Sequence, residues 1–200
     1  LTSMLGLLNL AQLDPDGAQN YLRLMQERVG VMDNYIKEIV EYSRNARLQV
    51  NITEVPIEKV IHEIVNTLKY SIDINKVEIE VHVNESFRIK TDESRLRVIL
   101  NNLIANAFKY QDFSKPKPFL RIRVATHDNK NLIQIEDNGI GIKSEYQTKI
   151  FEMFFRATDI STGSGLGLYI AKEAVDKLEG QISFESEFGK GSIFTITLPA

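Results

Sequence analysis

The sequence predicts an α+β protein: a helical hairpin that is half of a dimeric four-helix bundle, followed by an α/β sandwich. Three observations carry this expectation. A coiled-coil-like apolar stripe fills the first segment, period-two strands then alternate with helix-period stretches, and a Gly/Ser/Thr-rich connection interrupts the second half. The pattern changes after "NARLQ", so the expected domains are residues 1–47 and 48–200. Composition agrees with a folded chain: of 200 residues 43% are hydrophobic and 26% charged. The net charge of -3 offers no general attraction for nucleic acid and no polybasic membrane anchor. The absence of cysteine excludes disulfides, thiolate metal sites and thiol nucleophiles, and fits a cytoplasmic setting. Apolar runs are interrupted well before the ~18–20 residues of a membrane span, so a membrane would be reached through upstream segments of a parent protein.

The first helix covers residues 1–13, with Leu1, Leu5, Leu8 and Gln12 along one stripe, and stops at the turn residues of "LDPDG". It begins on Leu with no capping residue ahead of it, which suggests a fragment of something longer. A second helix is expected from about Gln19 to Ala46. Its residues Tyr21, Met25, Arg28, Met32, Tyr35, Ile39, Tyr42 and Ala46 follow alternating four-three spacing, broken only by Arg28. At roughly 40 Å this helix outruns its partner, and pairing with a second copy would cover the apolar face. A short strand "VNITE" then leads to a helix opened by Pro56. "VEIEVHV" alternates strictly, presenting Val77, Ile79, Val81 and Val83 to one side, and "FRIK" leads through Thr91 and Asp92 into a helix containing "NNLIANAFKY". The strands "FLRIRVAT" and "NLIQIED" flank a polar hairpin loop. Next comes a connection of about thirty residues, with a short apolar helix inside, and such long loops are usually functional. A helix, "LYIAKEAVDKLE", and a hairpin of "QISFESE" and "SIFTITL" close a mostly antiparallel sheet.

Three motifs carry chemistry. In "NNLIANAFKY", Asn102, Asn106, Lys109 and Tyr110 rise along one helix face while Leu100, Leu103, Ile104 and Ala107 cover another. An amide oxygen, an ammonium and a ring in a row suit a magnesium-bound polyphosphate with a stacked base, although the same stripe could simply face solvent. "EDNGIGI" puts Asp137 at a strand end, followed by Gly139 and Gly141, where missing side chains allow close approach. Asp137 could accept from an exocyclic amino group, or the segment could be a plain Asp-Asn-Gly turn. "GSGLGL" sets Gly163, Gly165 and Gly167 at the start of a helix, where backbone N–H groups can face phosphate or the loop can hinge. It fits neither a Walker loop nor a dinucleotide fingerprint.

In order and spacing these motifs resemble the ATP-binding domain of sensor histidine kinases, within the superfamily that includes gyrase-type ATPases, the Hsp90 chaperones and MutL-like proteins. "NNLIANAFKY" resembles the asparagine box, "DNGIGI" the first glycine box, "FEMFFR" the phenylalanine box, "GSGLGL" the second glycine box and "GKGSIFTITLP" the characteristic end. The resemblance implies ATP and magnesium as cofactors. Asn106 would ligate the metal with Asn102 nearby, Lys109 and Arg156 would hold phosphates, Tyr110 would lie against the adenine, and Asp137 would read its amino group. The glycine boxes would add Gly139, Gly141, Ile142, Gly163, Gly165, Leu166, Gly167 and Leu168 to the nucleotide site, with a lid between Gly141 and Gly165. Asn106, Lys109 and Arg156 would be the catalytic residues.

The front hairpin resembles the family's dimerisation and phosphoacceptor domain, which implies a homodimer and a response-regulator receiver domain as partners. It departs in one respect. The family's acceptor His is followed by an acidic residue, Arg and Pro, and none of His62, His82 and His127 has those neighbours. The expected acceptor would precede Leu1. Two other readings remain open: a superfamily ATPase or serine kinase, and a dimeric interaction module with a dead nucleotide site.

Overall fold

The computed structural model describes residues 2–71, 76–157 and 164–200. By contact the chain separates into two compact units, one composed chiefly of Leu1–Ala46 and a larger one beginning at Arg47. In the smaller unit, α1 (Thr2–Leu13) and α2 (Ala18–Arg47) are joined by a turn fixed on Asp14. One Asp14 carboxylate oxygen accepts the Gly17 N–H at 3.1 Å and the other the Tyr21 hydroxyl at 3.2 Å, so the first stripe residue of α2 also braces the turn.

The expected α1 stripe faces outward within one chain. Leu5, Leu8 and Gln12 are exposed, and the half-buried line is Met4, Leu7 and Ala11. The physical reason is that α1 is apolar nearly all round, so leucine spacing alone does not select the inner face. In α2, Tyr21, Met25, Met32 and Tyr35 are half-buried, whereas Arg28 and Ile39 are exposed; the side chains of Tyr42 and Ala46 lie outside those described.

The larger unit is a layer of helices on a five-stranded sheet. Its elements are β1 (Thr53–Pro56), α3 (Ile57–Ser71), β2 (Glu78–His82), β3 (Arg88–Thr91), α4 (Glu93–Lys109), β4 (Phe119–His127), β5 (Lys130–Asp137), α5 (Ser144–Gln147), α6 (Gly167–Lys177), β6 (Gln181–Glu187) and β7 (Gly191–Pro199). The sheet order is β2-β4-β5-β7-β6, with β1 and β3 forming a separate antiparallel pair. Three of the four ladders are antiparallel, as expected, but β2 runs parallel to β4 because the connection between them carries the helix α4. The β4–β5 hairpin turns on Asp128 and Asn129, both at positive φ (49° and 57°), the conformation that a two-residue hairpin requires. One core joins Val60, Ile61, Leu96, Ile99, Leu100 and Leu103 from the helices to Ile122, Ile133, Ile135 and Ile196 from the sheet. Within the long connection the helical turn is α5, and Phe151–Phe154 follow as turns rather than as an apolar helix.

The start of α4 is unusually polar for a buried place. Asp92 caps it, accepting from the Arg95 N–H at 3.1 Å and the Ser94 hydroxyl at 2.5 Å, while the buried Arg95 guanidinium bonds Asp92 at 2.5 Å and the Leu48 carbonyl at 2.6 Å. The Asn51 N–H donates to the same carboxylate at 2.9 Å, so the segment after Arg47 is tied to the N-terminus of α4. Among the described residues no helix is long and apolar enough to cross a membrane.

Candidate functional site

Helix α4 supports the site. Leu96, Ile99, Leu100, Leu103, Ile104, Ala107 and Phe108 are buried, which leaves Asn102, Asn106, Lys109 and Tyr110 on the less buried side, as their spacing predicts. The two asparagines are held differently. The Asn102 amide donates to the Val98 carbonyl at 2.8 Å. Its oxygen is thereby directed at the start of α6, where a Cβ on Gly167 would come within 2.8 Å of it. Asn106 is half-buried, and its side chain makes no hydrogen bond among the described residues. Lys109 is exposed and its ammonium lies 5.3 Å from the centre of the half-buried Tyr110 ring.

Asp137 ends β5 at 8% exposure and accepts the Gly139 N–H at 2.8 Å. Burial pushes this carboxyl up to about 6, against the pull of the Gly139 and Ser192 backbone N–H groups and the Lys115 charge. The turn that follows touches the end of α4: the Ile140 N–H donates to the Tyr110 carbonyl at 2.9 Å, and a Cβ on Gly139 would lie 2.2 Å from that oxygen. Gly141, at φ 65°, faces the Glu187 carbonyl, 2.1 Å from where its Cβ would be. Both glycines of the first box are therefore required by backbone contact, and Gly141 by its positive φ as well.

Beyond Gly141, the Ile142 N–H donates to the Ser186 hydroxyl at 2.8 Å, and the Gln147 amide donates to the carbonyls of Ile142 and Ser186 at 3.1 and 2.9 Å. On the other side of the connection, the Phe154 N–H donates to the Gly165 carbonyl at 3.1 Å. A Cβ on Gly165 (φ 75°) would lie 2.7 Å from the Phe154 carbonyl carbon and the Phe155 oxygen. The phenylalanine and second glycine boxes thus meet backbone to backbone. Arg156 is exposed, Leu166 is buried, and Leu168 is half-buried next to the core. Gly163 and the expected lid residues 158–163 lie outside the described residues.

Three contributors escaped sequence reading. Asn138 accepts the Phe119 N–H and donates to the Lys117 carbonyl, both at 2.8 Å. Lys115 bonds carbonyls of the glycine turn, and Ser186 bonds Ile142 and the Gly191 carbonyl. Asn138 was visible inside "DNG", but nothing local marked its partners, which are about twenty residues away along the chain. The arrangement offers a buried acceptor whose turn meets the Tyr110 backbone, an uncommitted amide oxygen one helical turn back from Tyr110, and a glycine-opened helix nearby. Those parts suit an adenine nucleotide with a metal-bound phosphate chain.

A family described as histidine kinase-, DNA gyrase B- and HSP90-like ATPase matches residues 91–200. The methanogenesis regulatory histidine kinase FilI of Methanothrix harundinacea is 29% identical over 192 residues, which is 96% of this chain and 21% of that protein. The chain thus spans about a fifth of that relative's length. Among solved structures, the mycobacterial sensor histidine kinase MprB is 27% identical with a TM-score of 0.64, covering 74% of this chain and 97% of that one. The Acinetobacter baumannii histidine kinase AdeS, at 22% identity, shares the fold with a TM-score of 0.76 over 99% of this chain and 93% of its own.

Proposed function

Since the chain belongs to the histidine kinase-, DNA gyrase B- and HSP90-like ATPases, we propose that it is the ATP-binding kinase core of a two-component sensor histidine kinase. The observation that carries this reading is Asp137, a buried carboxylate at a strand end with its turn pressed against Tyr110. In its ionised form it accepts the adenine amino group, while Tyr110 packs against the base. Asn106 would hold magnesium through its hard amide oxygen. Its fit is that of a half-buried amide with no hydrogen-bond partner among the described residues. The described residues contain no group of three His, Asp or Glu that could hold a metal, so the other ligands would be phosphate oxygens and water. When bound, magnesium would supply charge neutralisation on the phosphates.

The chain's own groups do the positioning. Lys109 and Arg156 balance phosphate charge from outside the core, and the Gly165–Gly167 segment presents backbone N–H groups at the start of α6. The phosphoryl acceptor is a histidine nitrogen elsewhere in the parent protein, followed by an aspartate of a receiver domain. None of the three histidines here has the full pattern expected after an acceptor: Glu63 and Asp128 follow His62 and His127, but the Arg and Pro do not, and His82 is followed by Val83. The α1–α2 hairpin would pair with a second copy. Incubation with γ-labelled ATP and magnesium tests the reading. Acid-labile, base-stable label is expected on a longer chain carrying an acceptor histidine ahead of Leu1, and none on residues 1–200. Steady phosphate release with no phosphoprotein from the longer chain would instead favour a plain ATPase.

A further inference from the structure

Lys115 has no assigned role, yet its ammonium sits at the seam of two turns. It donates to the carbonyls of Asn138 at 2.5 Å, Gly139 at 2.9 Å and Lys190 at 3.3 Å, so each of its three N–H groups has a backbone acceptor. This is not a surface ion pair, since all three partners are neutral carbonyls. Two belong to adjacent residues of the first glycine box and the third to the β6–β7 turn. The two turns approach closely here: a Cβ on Gly191 would lie 2.1 Å from the Asp137 carbonyl oxygen. Carbonyl dipoles that converge on one point repel, and a cation among them removes the repulsion.

The loop that delivers Lys115 is itself fixed. Asp112 accepts the Ser114 N–H at 3.0 Å and hydroxyl at 2.6 Å, and its carbonyl accepts the Lys115 N–H at 3.1 Å. Downstream, Asn138 holds Lys117 and Phe119, and the Gln111 amide donates to the Phe119 carbonyl at 3.0 Å. We propose that Lys115 is a positioning residue, a built-in cation that joins the Asp137–Gly141 turn to the β6–β7 turn and so sets the geometry in which Asp137 meets the adenine. This rests on the adenine reading given above. Lys115 also acts electrostatically. It lowers the Asp137 carboxyl, Glu136 on the same strand raises it, and the ladder neighbours Leu120 and Ser192 are uncharged.

The test replaces the ammonium and then returns it. Lys115→Ala is expected to bind Mg-ATP about tenfold or more weakly by calorimetry, with the Asp137 titration midpoint, followed by carboxyl carbon NMR, moved upward. Propylammonium, which matches the removed atoms, should restore much of the affinity in Lys115→Ala and leave the wild type unchanged, whereas tetramethylammonium should do nothing. Lys115→Met, which keeps the apolar stem, serves if Lys115→Ala does not fold and should show the same loss and the same upward midpoint. Wild-type affinity in the variants overturns the proposal. So does weakened binding with an unmoved Asp137 midpoint and no rescue, because that pattern marks a merely structural side chain. If the wild type itself does not bind ATP, the adenine reading fails, and Lys115 is still judged by the Asp137 midpoint: an upward shift supports its role and an unchanged one removes it.

Discussion

At Asp137 burial and function oppose each other. The carboxyl is pushed up to about 6 chiefly by desolvation, so between pH 4 and 6 the folded chain holds a proton that the unfolded chain releases. Stability therefore falls as pH rises through that window, and the full penalty of the charge is present above it. Asp137→Asn keeps an acceptor for the Gly139 N–H without the charge, and is expected to stabilise the ligand-free chain by ~1–3 kcal/mol above pH 6, measured as a higher Tm. The same change should lower Mg-ATP affinity at least tenfold, since the amide cannot stand in for an ionised acceptor. In the unaltered chain, ATP affinity should decline as pH drops below about 6, and calorimetry from pH 5 to 8 reads that profile. Gly141 is constrained in two ways, by its φ of 65° and by the Glu187 carbonyl. Gly141→Ala is expected to destabilise by ~2–4 kcal/mol in urea unfolding, more than strain alone would cost, because backbone must move. Both residues could be picked out in "EDNGIGI"; the opposing carbonyls of Tyr110 and Glu187 could not, since they lie far away in the chain.

Helix α4 is a strut with a function at each end. Its C-terminal half carries the asparagines and Tyr110, while its N-terminus is fastened by a buried ion pair that also grips the Leu48 carbonyl and the Asn51 N–H. Burial alone would raise the Asp92 carboxyl, but the Asn51, Ser94 and Arg95 hydrogen bonds and the Arg95 charge hold it at about 2. A depressed carboxylate contributes stability above its unfolded value of about 3.9, and that contribution is lost as pH falls toward 2. Acid should therefore loosen this end of α4 first, seen as early loss of hydrogen-exchange protection over residues 92–96. Arg95→Met should cost ~3–5 kcal/mol in urea unfolding by leaving Asp92 buried without its counter-charge. Asp92 was legible as a helix starter, and Arg95 was not, because a helical Arg one turn in reads as a surface residue until the chain at 48–51 folds over it. The parallel placement of β2 was equally hidden: alternation assigns a strand its faces and says nothing about its neighbour.

The two units of the molecule solve burial differently. The larger one encloses a single core from three helices and one sheet face, whereas the helical hairpin leaves Leu5 62%, Ile36 58% and Val40 60% exposed. A hairpin so open should depend on association, so its loss of helical signal on heating is expected to shift upward with protein concentration. The transition of the larger unit should instead respond to Mg-ATP, as linkage requires, and circular dichroism at two concentrations with and without nucleotide separates them. The sequence by itself determined the order of elements, the spacing of Asn102, Asn106, Lys109 and Tyr110, and the places where only glycine is tolerated, because helix period, strand period and turn chemistry are local properties. Tertiary structure alone decided which carbonyls those glycines approach, which face of α1 turns inward, how Asp137 comes to be buried, and why Lys115 lies among three carbonyls. Those outcomes depend on groups far apart in the chain that meet only when helices close over the sheet, and no local rule encodes a contact between two distant turns.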